Sequence, residues 1–134
     1  MEQNIEISTD KIRLDLPMIH QFITNACWAK GRTLDEVKKS VENSIVFGLY
    51  IEEEQIGFAR VLTDGIIIAH LLDVFVVEKH RGLGYSKKLL SHIFNHSGIR
   101  VKKWMLATKD AHSLYAQFGF SSFEEPELWM DKIS

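Results

Sequence analysis

Residues 71–94 constrain the fold more than any other stretch, because the spacing of apolar residues changes there from that of a strand to that of a helix. Residues 71–77 are apolar apart from Asp73 and rich in β-branched and aromatic side chains, as is typical of a buried strand. From Gly84 onward, apolar residues recur on one face of a helix. Between the two lies the basic segment 79–84, KHRGLG. The stretch therefore predicts a strand, a glycine-containing turn and a helix, in that order.

The turn in this stretch has the features of an anion site. Backbone N–H groups at the start of a helix have no partner within it, and they lie at the positive end of the helix dipole. Gly82 and Gly84 would let a ligand approach the backbone closely. Cationic character is added by Lys79, His80, Arg81, Lys87 and Lys88. The turn is thus predicted to hold a phosphorylated ligand, although neither the spacing of a P-loop nor the third glycine of a dinucleotide fingerprint is present.

Length, charge and cysteine content exclude several classes of protein. A chain of 134 residues predicts one domain over 1–134, and a net charge of −2 argues against a nucleic-acid-binding protein. The single cysteine, Cys27, excludes an internal disulfide framework, and His92 and His96 have no third ligand nearby in sequence, so we expect no metal. The polar start of the chain and the lack of a long apolar run predict a cytoplasmic protein without membrane contact.

The remaining patterns predict an α/β domain with a twisted, mostly antiparallel sheet and one parallel crossover. Helices are expected from Leu16 to about Ala26, with Asp15 as N-cap, and over 34–42, with Thr33 and Glu36 as a capping box. Strands are expected over 45–52, 56–63, 66–77 and 104–108. A helix over 111–118, capped by Asp110, and final strands over 120–123 and 128–133 complete the prediction.

Two motifs in this order resemble the GNAT superfamily of N-acetyltransferases. Residues 81–86, RGLGYS, are similar to the acyl-CoA loop of that family, [RQ]-x-x-G-x-[GA], with Ser86 in place of the usual final glycine or alanine. Residues 111–120, AHSLYAQFGF, are similar to its A-x-x-L-Y-x-x-x-G-F segment. The order of elements also fits, so the resemblance covers nearly the whole chain. It implies a GNAT-like acyl-CoA N-acyltransferase fold, with a mixed sheet flanked by helices.

The resemblance also implies acetyl-CoA as co-substrate and direct transfer of the acetyl group to a primary amine in a ternary complex. Tyr115 matches the family's tyrosine and is the expected general acid, while Asp73 is a candidate general base. His70, a water-relayed proton path and an amine that arrives neutral stay open as alternatives to Asp73. The expected cofactor-binding residues are Val74, Phe75, Val76, Arg81, Gly82, Leu83, Gly84, Tyr85, Ser86 and Lys87.

The acceptor is left open by the resemblance. A small-molecule or peptide amine is expected, and a polyamine, an amino acid, an aminoglycoside-like drug and a protein N-terminus all fit. Arg60 or Asp64 could orient a charged acceptor. The elements that line the acceptor side in the family carry Phe22, Trp28, Arg32, Tyr50, Arg60 and Asp64. A non-catalytic acyl-CoA-binding regulatory module and a peptide-binding adaptor are the rival functions, and both a monomer and a homodimer are compatible with the sequence.

Overall fold

The computed structural model describes residues 4–26 and 30–134 and shows a five-stranded sheet in the order β1-β2-β3-β4-β5. The strands are β1 (Ile5–Ser8), β2 (Ile45–Ile51), β3 (Glu54–Thr63), β4 (Ile68–Val76) and β5 (Lys103–Met105). The first three pairings are antiparallel, and β4 and β5 are parallel. The helices are α1 (Leu16–Thr24), α2 (Leu34–Glu42), α3 (Tyr85–Phe94) and α4 (His112–Ala116). The predicted mixed, mostly antiparallel sheet flanked by helices is confirmed.

Local capping signals fix where α1 and α2 begin. The Asp15 carboxylate accepts a hydrogen bond from the Met18 N–H group at 3.2 Å. In α2 the Glu36 N–H group donates to Thr33 Oγ1 at 3.1 Å, and the Thr33 N–H group donates to Glu36 Oε1 at 2.8 Å. Both predicted helix starts are therefore confirmed. No helix within the described ranges is long and apolar enough to cross a membrane.

The sheet has a helical layer on each face, because alternate side chains of each strand point to opposite sides. Helices α1 and α2 cover one face with Ile19, Ile23, Val37 and Val41, which pack on Val46, Phe58 and Phe75. Helices α3 and α4 cover the other face with Leu89, Leu90, Ile93 and Tyr115, which pack on Phe47, Val61 and Leu71. We call these the α1/α2 face and the α3/α4 face.

The prediction of two final strands, over 120–123 and 128–133, is wrong. In the described residues this segment contains a 3-10 turn and pairs with no strand of the sheet. Its aromatic rings pack instead on a cation: the Lys103 ammonium lies 5.6 Å from the ring centroid of Phe123 and 4.5 Å from that of Trp129. These two rings stack on each other at 4.2 Å. The apolar residues of this segment suggested strands, but side-chain packing holds it beside β5.

The last helix is shorter than predicted, and Asp110 is not its N-cap. Helix α4 covers His112–Ala116, and no side chain caps it. The N–H group of Ala111, just before the helix, donates to Thr108 Oγ1 at 3.1 Å. The Thr108 hydroxyl, earlier in the loop, therefore binds an N–H group next to those that an Asp110 cap would have bound.

The first prediction concerns Leu90, which is fully buried between α3 and the sheet. Leu90→Ala should lower the free energy of unfolding by about 2–5 kcal/mol, because the truncated side chain leaves a cavity. Lys88→Ala, at an exposed position of the same helix, should change it by less than about 0.5 kcal/mol. Urea unfolding curves measure both changes. Equal midpoints for the two variants would contradict this packing.

Candidate active site

Strands β4 and β5 separate before β4 ends, which leaves part of an edge of β4 open. Pairing between the two strands joins 68–70 to 103–105, whereas β4 continues to Val76. Because β5 ends at Met105, the strand predicted over 104–108 is too long at its C-terminal end. No strand of the described chain pairs with 71–76 on this side. An exposed edge of this kind can bind an extended ligand through backbone hydrogen bonds.

Backbone hydrogen bonds show which groups of β4 face the open edge. The Val77 N–H group donates to the Ile56 carbonyl at 2.8 Å and therefore points toward β3. Because backbone groups alternate in direction along a strand, those of Val74 and Val76 point to the open edge. Arg81 Nε donates to the Val76 carbonyl at 3.1 Å from that side. The N–H groups of Val74 and Val76 are thus directed to where an extended ligand would lie.

A β-bulge precedes this open edge. Phe75 pairs with Phe58 and Leu72 with Arg60, so that two residues of β4 lie opposite one residue of β3. Asp73, within the bulge, has a φ of 54°. Aspartate tolerates this left-handed conformation better than most residues. The bulge thereby turns the Asp73 side chain away from the regular alternation of the strand.

Two arginines meet the Asp73 carboxylate at the bulge. Asp73 Oδ2 accepts from Arg60 Nε at 2.9 Å and from Arg32 Nη1 at 3.0 Å. Arg60 Nη1 also donates to Ser44 Oγ at 3.3 Å. The side chain of Asp73 is 2% exposed, compared with 10% for Arg60 and 25% for Arg32. These contacts favour a structural role for Asp73, and its role as a general base stays a prediction.

The loop between β4 and α3 presents a run of backbone donors. Gly82 and Gly84 have φ values of 77° and 83°, which lie in the left-handed region that favours glycine. Helix α3 begins after Gly84 without a side-chain cap. The following N–H groups make no hydrogen bond to a described residue: those of Gly82, Leu83, Gly84, Ser86 and Lys87. The predicted glycine turn and helix start are confirmed, and the arrangement suits an anion.

Arg81 connects this loop to α1 as well as to β4. Its guanidinium carbon lies 5.8 Å from the ring centroid of Phe22, in addition to the hydrogen bond to the Val76 carbonyl. Phe22 in turn stacks on Phe75 at 4.1 Å. The predicted phosphate-binding role of Arg81 stays a prediction. Its packing gives it a second role, which is to hold the loop against the end of the strand.

Tyr115 lies on α4 with its ring buried against Phe120, at 5.8 Å between centroids. Burial raises the pKa of Tyr115, so the phenol is protonated at neutral pH. Its hydroxyl makes no hydrogen bond to a described residue. It is also not sealed in the core, since the Tyr50 hydroxyl is the one buried side-chain polar atom of the described residues without a partner. The Tyr115 hydroxyl can therefore donate to a ligand.

Two of the residues expected on the acceptor side make structural contacts, and their role toward an acceptor stays a prediction. The ring of Tyr50 is covered by the Arg13 guanidinium at 4.2 Å from its centroid. The Asp64 carboxylate ends a turn by accepting from the N–H groups of Ile66, Ile67 and Ile68 at 3.0, 2.8 and 3.1 Å. This turn explains why β4 begins at Ile68 rather than at residue 66. Trp28 and Cys27 lie outside the described residues.

His70 remains beside the open part of the sheet. It lies on β4 and is half-buried, and its pKa is lowered by burial and by the charge of Arg60. The imidazole is consequently neutral at physiological pH and able to accept a proton. Its role as a general base stays a prediction, alongside that of Asp73.

The second prediction concerns the ion pairs of Asp73. Asp73→Asn keeps a residue that tolerates positive φ but leaves two partly buried arginines without a counter-charge. We expect a loss of stability near the lower end of the about 3–5 kcal/mol that breaking a buried pair costs, since Arg32 is partly solvated. Glu54→Gln, which breaks the exposed 3.6 Å pair with Lys79, should have an effect below about 0.5 kcal/mol. Thermal or urea unfolding tests this, and equal effects would count against the structural role.

Comparison with known proteins agrees with this geometry. A family model described as an acetyltransferase (GNAT) domain matches residues 42–122. A Xanthomonas campestris pv. campestris structure assigned to the GNAT family of acetyltransferases has a TM-score of 0.94 and 36% identity, covering 100% of this chain and 96% of that one. A Gibberella zeae protein named as an acetyltransferase is 28% identical over 89% of this chain and 80% of its own length. N-acetylglutamate synthase from Neisseria gonorrhoeae, complexed with coenzyme A and N-acetyl-glutamate, shares the fold with a TM-score of 0.74, 18% identity, and coverage of 95% of this chain and 30% of that one.

Proposed function

Because the chain belongs to the GNAT acetyltransferase family, whose members use an acyl-CoA donor and an acceptor substrate, we propose that it transfers the acetyl group of acetyl-CoA directly to a primary amine. The observation that carries the proposal is that two sets of unpaired backbone N–H groups follow each other along the chain. The open edge at Val74 and Val76 is followed, after a 3-10 turn at Glu78–His80, by the uncapped N–H groups that begin at Gly82. Coenzyme A has the matching sequence of groups, with amides in an extended arm followed by a pyrophosphate.

Binding of the cofactor would use the backbone more than side chains. The N–H groups of Gly82, Leu83, Gly84, Tyr85, Ser86 and Lys87 would receive the pyrophosphate at the positive end of α3. Lys87 is exposed, and its ammonium would supply a charge-assisted contact. The amides of the pantetheine arm would pair with Val74 and Val76, while Phe75 would support the edge through its packed ring. A backbone N–H group of this edge would polarise the thioester carbonyl.

The transfer needs one bond to form and one to break. The amine nitrogen attacks the thioester carbonyl carbon, the new C–N bond forms, and the C–S bond breaks to release the thiolate. Tyr115, which packs on the α3/α4 face, would donate its proton to that sulfur. The amine proton would leave to water, to His70 or to Asp73. No residue needs to carry the acetyl group in this scheme, which is why a ternary complex is part of the proposal.

A non-catalytic acyl-CoA-binding module is the main alternative. It would need the loop and the open edge but no proton donor, and a peptide-binding adaptor would need only the edge. The Tyr115 hydroxyl favours the enzyme, since it is protonated and makes no hydrogen bond to a described residue. The proposal includes a cytoplasmic location and a single domain over residues 1–134, acting as a monomer or homodimer.

The third prediction tests the loop by Gly84→Val. Valine is strained at the φ of 83° that Gly84 adopts, and its side chain would stand where the ligand approaches. Calorimetric titration should show acetyl-CoA affinity reduced by roughly 10-fold or more. Gly65→Val is the matched control, because Gly65 has the same φ of 83° and equally open surroundings in a turn between β3 and β4. Free adenosine diphosphate and NAD test selectivity, and wild-type affinity in Gly84→Val would contradict the assignment.

The fourth prediction tests the proton donor by Tyr115→Phe. We expect turnover to fall by roughly 100-fold, as for loss of a general acid, with unchanged acetyl-CoA affinity and unfolding free energy. Because burial raises the pKa of Tyr115, wild-type turnover should lose its acid only above about pH 10. Tyr50→Phe is the control, since the buried Tyr50 hydroxyl has no partner among the described residues and the ring, which lies under Arg13, is kept. Thiol release with a panel of amines measures turnover, and equal rates for Tyr115→Phe and wild type would remove Tyr115 from the mechanism.

A further inference from the structure

The charges at the bulge do not balance. Arg32 and Arg60 both donate to the single oxygen Oδ2 of Asp73, so the cluster carries one net positive charge in a chain of net charge −2. The charge of Arg32 also acts on Glu36, whose carboxylate accepts from the Thr33 N–H group in the N-terminal cap of α2. Hydrogen bonds to Thr33 lower the pKa of Glu36 more than Arg32 does. An uncompensated guanidinium that is partly removed from water favours the approach of an anion.

Donors of both arginines remain for such an anion. Arg60 Nη2, and Arg32 Nη2 and Nε, make no hydrogen bond to a described residue. None of these nitrogens is sealed in the core, because the Tyr50 hydroxyl is the one buried polar side-chain atom of the described ranges without a partner. The backbone of Arg32 is fixed by its carbonyl, which lies 2.8 Å from His20 Nε2 of α1. The donors are thus held in place and accessible.

The position of the cluster relates it to the acetyl group. Asp73 directly precedes the open edge that begins at Val74, so the arginines lie next to where the thioester is proposed to bind. Beside them on the same face of the sheet, Leu62 pairs with His70 in the strand register and Leu72 pairs with Arg60. Leu62 is 40% exposed, and His70 and Leu72 are partly exposed. Neither α1 nor α2 therefore covers this part of the sheet completely.

We propose that Arg32 and Arg60 bind an anionic group of the acceptor, so that the substrate is an amine that also carries a carboxylate or a phosphate. This inference rests on the proposed acetyl transfer and specifies its acceptor. The amine would lie at the open edge of β4, and the anion would bind to the free guanidinium donors as a charge-assisted pair. A polyamine, which brings only positive charge to this face, is disfavoured.

The turnover test compares acceptors that differ only in the anionic group. Glycine and L-leucine are compared with their amides, and phosphoethanolamine is compared with ethanolamine. Each is assayed at one pH by thiol release from acetyl-CoA, and kcat/KM is expressed per concentration of free amine. We expect kcat/KM to be roughly 10- to 100-fold higher for the anionic member of at least one pair, the range of a hydrogen bond to a charged group. The amino acid pairs report on a carboxylate, and the phosphoethanolamine pair reports on a phosphate.

Variants of Arg32 connect the preference to the structure. Arg32→Gln should abolish the preference, so that kcat/KM for the two members of each pair becomes equal within about 3-fold. Arg32→Lys should restore part of the preference, since it returns the charge but not the planar fork of donors. Arg100→Gln, an exposed arginine after α3, is the matched control and should keep the full preference. A preference that survives in Arg32→Gln would overturn the proposal.

A binding measurement separates this proposal from the proposed reaction. Histidine resonances in NMR report the titration of His70, assigned with His70→Gln, in the presence of coenzyme A and either N-acetylglycine or its amide. An anion bound beside Arg60 offsets the charge that lowers the pKa of His70, so the N-acetylglycine sample should show the higher pKa. This shift without any thiol release would support the anion site and contradict acetyl transfer. Turnover with neither a charge preference nor a shift would overturn the anion site alone.

Discussion

The shared carboxylate of Asp73 is the contact on which the geometry of the site depends. It joins β4 to Arg60 on β3 and to Arg32 in the segment before α2, so a single side chain connects the sheet to the helical layer above it. It does so from a bulge at the place where β4 continues alone beyond β5. A regular strand would have kept Asp73 within the alternation of side chains. The bulge, the ion pairs and the open edge therefore form one structural unit.

Such an arrangement adds little to the stability of the fold. Charges removed from water lose hydration, and a buried ion pair often stabilises a protein no more than apolar residues of the same volume would. Here one carboxylate accepts hydrogen bonds from two arginines, and the side chain of Arg32 is 25% exposed. The cluster is thus neither neutral nor closed. A purely structural contact would not need the second arginine, which makes a ligand-binding role the more economical explanation of its presence.

Features that depend on neighbouring residues could be predicted from the sequence. The capping box at Thr33, the cap at Asp15 and the left-handed glycines before α3 are set by atoms a few residues apart. The partners of Asp73 could not be predicted, because they are separated from it by 13 and 41 residues. The prediction of the final strands failed for a related reason. Aromatic and apolar residues favour a strand locally, but a strand also needs a partner. Beyond residue 120 the rings of Phe123 and Trp129 pack on Lys103 instead.

In the proposed reaction, the sheet would separate the chemistry of the donor from the recognition of the acceptor. Tyr115 packs on the α3/α4 face, while Arg60 packs among residues of the α1/α2 face, and the open edge of β4 lies between them. A thioester bound along that edge would present its sulfur to one face and its carbonyl carbon to an amine arriving from the other. Substitutions on the α1/α2 face could then change the acceptor without disturbing the backbone contacts that would hold the cofactor. This division would follow from the splaying of β4 and β5, because the loop and the edge that would hold the cofactor are built mainly from backbone atoms.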